Sequence, residues 1–161
     1  MIKKIISQIH IPTIKKICIN RCLGNLAQNK VILQKSINEF CLITGQYPRS
    51  TYAKKSISGF KLREKTLIGL TTTLRKNRMY SFLIRLIHFA LPQLRDFKGF
   101  SLKQFDTFGN YHFGIKNQVI FPELNSEDIP YLFGFNISII TSITNLNENI
   151  SLLKSLDFPF E

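Results

Sequence analysis

Apolar residues recur at helical spacing through MYSFLIRLIHFALPQL, from Met79 to Leu94. Met79, Phe82, Leu83, Leu86, Ile87 and Ala90 fall on one side of a helix, and Arg78, Ser81, Arg85 and His88 on the other. This predicts a core-facing amphipathic helix with Asn77 as its N-cap. Arg85, His88 and Pro92 make the run too short and too polar to span a bilayer. A second helix is predicted from about Gln28 to Ile43, burying Leu33, Ile37, Phe40 and Cys41 and stopped by Gly45. In LIGLTTTLR the period changes to two, which sets Ile68, Leu70, Thr72 and Leu74 against Gly69, Thr71, Thr73 and Arg75. ICIN (Ile17 to Asn20) reads as the end of a strand, a further strand follows the loop RDFKGFSLKQFDTFGN and runs through about Val119 to Phe121, and NISIITSIT from Asn136 reads as a final strand, with a short helix around Ile150 to Leu156. With no repeat or low-complexity linker, the 161 residues are expected to form one domain. The expected fold class is α+β: two layers, a mainly antiparallel sheet with helices on one face and the other face open.

Three of these strands share a habit. Asn20 and Cys18, Thr71, Thr73 and Arg75, and Asn136, Ser138 and Ser142 all point away from the apolar positions Ile17, Ile19, Leu70, Leu74, Ile137 and Ile139. Helices covering the apolar side leave a sheet face of hydroxyls, amides and a guanidinium, groups suited to an RNA backbone, its 2′-hydroxyls and base edges. This face lacks paired surface aromatics that stack unpaired bases, which favours a folded RNA recognised by shape. The plain alternative is a solvated sheet face.

Charge points the same way. The chain carries a net +12, a balance that polyanions neutralise. It is concentrated in RSTYAKKSISGFKLREKTLIG, Arg49 to Gly69, where Arg49, Lys54, Lys55, Lys61, Arg63 and Lys65 face a lone acid, Glu64. A connecting loop has no need of that charge, or of Phe60 beside Gly59. Cys18, Cys22 and Cys41, with His10, His88 and His112, lack the spacing of a zinc site and read as reduced structural thiols. Asp96, Asp106, Glu123, Glu127, Asp128 and Asp157 are scattered, with no nucleophile elbow, Walker loop or metal-binding pattern around them, so neither an enzyme, a cofactor nor a metal is expected. The basic, apolar MIKKIISQIH lacks the h-region and cleavage site of a secretory signal and the Arg and Ser of a transit peptide, so no cleavable signal is expected.

The runs SGFKLREKTLIGLTTTLR, LPQLRDFKGFSLKQFDTFGNYHFGI, VIFPE and LDFPF, in that order and spacing, resemble large-subunit ribosomal protein five, the universal family that binds 5S ribosomal RNA. The likeness runs from Ile11 to Phe160, with a shorter N-terminal segment than bacterial members have. It implies a structural constituent of the large subunit whose open sheet face holds 5S ribosomal RNA, or an organellar substitute, in the central protuberance. Carried over, the RNA-binding residues are Asn20, Gln46, Thr73, Arg75 and Asn136, the last standing where the family usually has Asp. The loop of about residues 54–65 is expected to reach the elbow of the P-site transfer RNA through Ser56, Gly59, Phe60, Lys61 and Arg63. Gly59 is expected to permit a tight bend, Phe60 to pack on transfer RNA bases or tuck into its own domain, and Lys61 and Arg63 to meet phosphates. Further implied partners are large-subunit ribosomal RNA, neighbouring central-protuberance proteins and a small-subunit head protein across the bridge; no membrane is among them.

The composition, rich in Ile, Asn, Lys and Phe and devoid of Trp, suggests an A+T-biased organellar genome. Together with the short N-terminal segment it leads to an expected mitochondrial location, ahead of plastid or bacterial cytoplasm. The competing readings are a basic RNA- or membrane-surface-binding protein outside the ribosome, and an RNA-modifying enzyme; the first requires charge on one amphipathic face, the second a cofactor pocket or an acid-base pair.

Overall fold

Five strands, Ile14–Cys22 (β1), Arg49–Tyr52 (β2), Leu67–Leu74 (β3), Tyr111–Ile115 (β4) and Phe135–Thr141 (β5), pair antiparallel into one sheet of order β2-β3-β1-β5-β4, and burial alternates most clearly along β1, β4 and β5. They belong to a computed structural model that describes residues 12–94, 97–125, 129 and 131–161. The basic segment MIKKIISQIH, and Asp96, Glu127 and Asp128 among the acids, lie outside the described residues. The expected α+β class and open antiparallel sheet are what the chain adopts.

Three α-helices are described: Lys30–Thr44 (α1), Lys76–Arg85 (α2) and Leu146–Ser155 (α3). Asn29 caps α1 by accepting from the Val31 N–H, and Gly45, in the left-handed region at φ 66°, ends it. Beyond α2 the chain continues through a π turn, Leu86–Ala90, and a 3-10 turn, Leu91–Gln93, that contains Pro92. Met79, Phe82, Leu83, Leu86, Ile87 and Ala90 are all buried, as their spacing predicts. They share one hydrophobic cluster with Ile17 and Ile19 of β1, Ile137 and Ile139 of β5, Phe40 and Ile43 of α1, and Leu153 of α3. The helices therefore cover one face of the sheet. Within β1 a register shift between Ile14 and Lys16 lets Ile14 and Ile17 both face this core despite their odd spacing. No described helix is long and apolar enough to cross a membrane.

Four expectations need correction. The strand expected after Asn110 does not run through Val119 to Phe121: β4 ends at Ile115, and Gln118–Ile120 forms a 3-10 turn. The apolar run there is buried, but it is held as a turn by the fully buried Gln118, whose amide donates to Tyr131 O and Glu39 and accepts from Phe133 N–H. Asn77 is not the cap of α2; the N-cap position is Arg75, in extended conformation and without a side-chain cap bond. The last helix starts at Leu146, capped by Asn145, rather than near Ile150. Finally, the loop read between α1 and β3 contains the edge strand β2.

Among the described residues, the core holds one full charge. Arg21, on the inward face of β1, is 0% exposed and donates to the Glu39 carboxylate of α1 at 2.8 Å. Its guanidinium also lies 4.4 Å from the ring centre of Phe135, with Phe40 and Phe133 farther off. Burial depresses the Arg21 pKa, and the bond to Glu39 works against that.

Candidate nucleic-acid interface

Residues directly opposite in an antiparallel sheet point to the same side, so the register defines the open face row by row. One row crosses all five strands: Arg49, Thr71, Asn20, Asn136 and Gly114. A second crosses four: Thr73, Cys18, Ser138 and His112. Asn20 and Asn136 are exposed, and a Cβ at Gly114 would make only ordinary contact with Asn136 Oδ1, at 3.5 Å. Beyond the first row, at Gly69, a Cβ would run into the Arg21 carbonyl oxygen, so only glycine lets β3 approach β1 this closely there.

The second row is internally hydrogen-bonded. Cys18 Sγ lies 3.8 Å from Thr73 Oγ1, and Ser138 Oγ lies 2.9 Å from His112 Nδ1. His112 Nε2 is in turn 3.3 Å from Asp106. Burial works to raise the Asp106 pKa, but hydrogen bonds from the Asn110 side chain and backbone, from His112 and from the Phe108 N–H outweigh it and hold the carboxyl below its ordinary value.

At one corner of the face, Gln46, Thr73 and Arg75 line a single concavity with Lys76, Asn77 and Arg78. The turn after α1 places Gln46 there. Gly45 reverses the chain, and the Thr44 hydroxyl lies 2.7 Å from Phe40 O and 2.9 Å from Gln46 O. Arg78 Nη1 reaches Gln46 Oε1 at 3.5 Å. The five residues assigned to RNA thus fall into two groups, Asn20 with Asn136 at mid-sheet and Gln46 with Thr73 and Arg75 at the corner.

The loop at 54–65 is a narrow hairpin closed by the Ile57–Leu62 bridge, with backbone bonds of 2.9 and 3.1 Å, and by the Glu64 N–H donating to Ser56 Oγ. Ser56, Gly59, Phe60, Lys61 and Arg63 are all exposed. Phe60, 73% exposed, does not tuck into its own domain. The role expected of Gly59 needs correction, because its backbone lies outside the left-handed region and a Cβ there would meet open space. The left-handed residues of the hairpin are Lys61, φ 51°, and Lys65, φ 63°.

Sequence reasoning missed Arg49, His112, Lys76 and Arg78 as members of this surface. Arg49 was legible only with β2 recognised, and Lys76 and Arg78 only with the start of α2 fixed. Among the described residues, no three His, Cys, Asp or Glu side chains group to hold a metal ion.

Fold and face together define an α+β protein with an exposed, polar sheet surface bordered by cations. Residues 7–63 match the family model described as "Ribosomal protein L5", and residues 67–160 match the model of the C-terminal part of the same ribosomal family. A protein of Gracilaria tenuistipitata var. liui named "Large ribosomal subunit protein uL5c" is 50% identical over 150 residues, 93% of this chain and 84% of the relative. Proteins of the same name from Oltmannsiellopsis viridis and Cyanidium caldarium are each 50% identical, over 151 and 152 residues, covering 94% of this chain and 84% of each relative. The chain belongs to the ribosomal protein L5 family, and is a structural, non-enzymatic component of the large ribosomal subunit. The expected mitochondrial location is overturned by these relatives, whose names mark chloroplast proteins and point to the plastid. An A+T-biased composition is common to both kinds of organelle genome, so it had no power to separate them.

Proposed function

We propose that this protein holds 5S ribosomal RNA, or the element standing in its place, on the open sheet face in the central protuberance, through Asn20, Gln46, Thr73, Arg75 and Asn136. The observation that carries the reading is the register: two polar rows run across the sheet on the side opposite the core, with a cationic corner at their β3 end. Amides and hydroxyls at mid-sheet suit sugar and base edges, while Arg75 at the corner suits phosphate. The hairpin at 54–65 reaches the elbow of the P-site transfer RNA through Ser56, Gly59, Phe60, Lys61 and Arg63, with Phe60 free to pack on bases. Large-subunit ribosomal RNA, neighbouring protuberance proteins and a small-subunit head protein complete the surroundings. One domain carries both functions; β1 and β2, from the segment of the first family match, interleave with β3 to β5, from the second, in a single sheet.

The test is RNA affinity across a salt series for Arg75→Ala and Thr73→Val. Arg75→Ala should weaken 5S binding by about 1–3 kcal/mol and lower the salt slope by about one unit. Thr73→Val should weaken it by about 1 kcal/mol with the slope unchanged. Normal RNA binding by both variants, once folded, would overturn the assignment.

A further inference from the structure

The corner concavity offers hydrogen-bond donors and cations and no carboxylate: its lining is Gln46, Thr73, Arg75, Lys76, Asn77 and Arg78. Arg78 takes the Gln46 carbonyl oxygen, which leaves the Gln46 amide N–H groups to donate outward. Such a lining selects a ligand that is anionic and rich in acceptors. Next in the chain stands Tyr47, 70% exposed. Its backbone is fixed on both sides, by the helix-ending turn at Gly45 and by buried Pro48 leading into β2, where Arg49 begins the first polar row. Tyr47 does not itself line the cavity, but it follows Gln46, which does; a flat, uncovered ring one residue from the wall of a cationic cavity supplies the parts of a nucleotide site, with phosphate in the cavity and base on the ring.

We infer that this corner holds an unstacked nucleotide of the bound RNA, its base on Tyr47 and its phosphate among Arg75, Lys76 and Arg78. The inference rests on the reading of the open face as the RNA surface, and adds to it the class of RNA element recognised. A fully paired helix presents no free base to Tyr47, so the corner prefers RNA with a bulged or looped-out residue. The expectation of shape recognition alone, drawn from the lack of surface aromatics, is thereby narrowed at this one position.

The chain contains no Trp, so a Tyr47→Trp variant carries a single indole that reports on its own surroundings. Titrated with transcribed chloroplast 5S ribosomal RNA, its fluorescence should be strongly quenched, and far less so with a perfectly paired RNA duplex of the same length. Tyr47→Phe should bind the 5S transcript as the unaltered protein does, whereas Tyr47→Ala should bind roughly ten-fold more weakly with an unchanged salt slope. Lys76→Ala with Arg78→Ala should lower the slope by about two. All melting temperatures should match that of the unaltered protein, because these side chains are exposed. Full affinity in Tyr47→Ala with no indole quenching, while Arg75→Ala and Asn20→Ala still weaken binding, overturns the nucleotide site and leaves the RNA face standing. Unweakened binding in Arg75→Ala and Asn20→Ala overturns the RNA face itself, and the nucleotide site with it.

Discussion

Asn20 of β1 stands directly opposite Asn136 of β5 on the open face, both exposed, in the row that Thr71 and Arg49 extend on one side and Gly114 on the other. Two amides so close are expected to grip one RNA element together. Asn20→Ala and Asn136→Ala should each weaken 5S binding by about 0.5–1.5 kcal/mol. The double variant should lose other than the sum, because neighbours sharing a partner do not act independently. Binding titrations on the four proteins of the cycle measure this, and strict additivity would argue that the two residues touch separate elements.

Beneath that row, on the other side of β1, the Arg21–Glu39 pair should behave as a buried charge does. Glu39→Ala strands a fully buried guanidinium and should cost about 3–5 kcal/mol in urea unfolding. Arg21→Met should cost less, since Glu39 is partly exposed and keeps the Gln118 amide as a donor. A Glu39→Ala loss under about 1 kcal/mol, the size of a surface pair, would contradict this.

Much of this architecture was legible in the chain, for reasons that differ by element. The α2 face was readable because Met79, Phe82, Leu83, Leu86 and Ile87 hold a helical period long enough to outweigh noise, and β3 because burial alternates from Leu70 to Leu74, with Leu70, Thr72 and Leu74 inward and Thr71 and Thr73 outward. Of the edge strands, β2 was not, and β4 was legible only without its end. β2 is four residues long and none of them is buried, so nothing in RSTY marks it until β3 is there to pair with. In β4 the alternation of Tyr111, Phe113 and Ile115 is only five residues long, and the denser apolar run at Val119 to Phe121 competes with it. Arg21 has a similar cause: a charge on the inward side of a strand is interpretable only once Glu39 and three aromatic rings surround it. Thr73 and Asn20 could be placed on one surface from alternation alone, whereas joining Gln46 to them required the turn at Gly45.

The hairpin should be separable from the sheet. Lys61→Ala with Arg63→Ala, and Phe60→Ala, alter exposed residues and should shift stability by no more than about 0.5 kcal/mol. Assembly and 5S binding should persist, while retention of transfer RNA at the P site falls. Toe-printing and filter retention on reconstituted ribosomes check this, and failure of assembly in either variant would contradict it.

Asp106 gives the fold an acid-sensitive joint. Its folded pKa is depressed by the bonds it accepts, so its stabilising contribution is present above the unfolded value of about 3.9 and is lost as pH falls through the folded value. Asp106→Asn should therefore melt lower than the unaltered protein at pH 6, and the gap should close toward pH 3. Melting curves across that range check the sign, and a gap that widened on acidification would contradict it.

The central claim, that RNA lies on the sheet face opposite the helices, can be read without any substitution from the three free cysteines. Cys18 lies in the second polar row and Cys22 farther along the same face of β1, opposite Gly69, whereas Cys41 is on α1, on the helical side. Burial raises the Cys41 pKa and slows its reaction, so each thiol is compared with itself. Alkylation followed by mass spectrometry, with and without bound 5S ribosomal RNA, should show Cys18 strongly protected, Cys22 protected to some degree and Cys41 unchanged. Protection of Cys41 with Cys18 left as reactive as in the free protein would put the RNA on the helices and contradict the account.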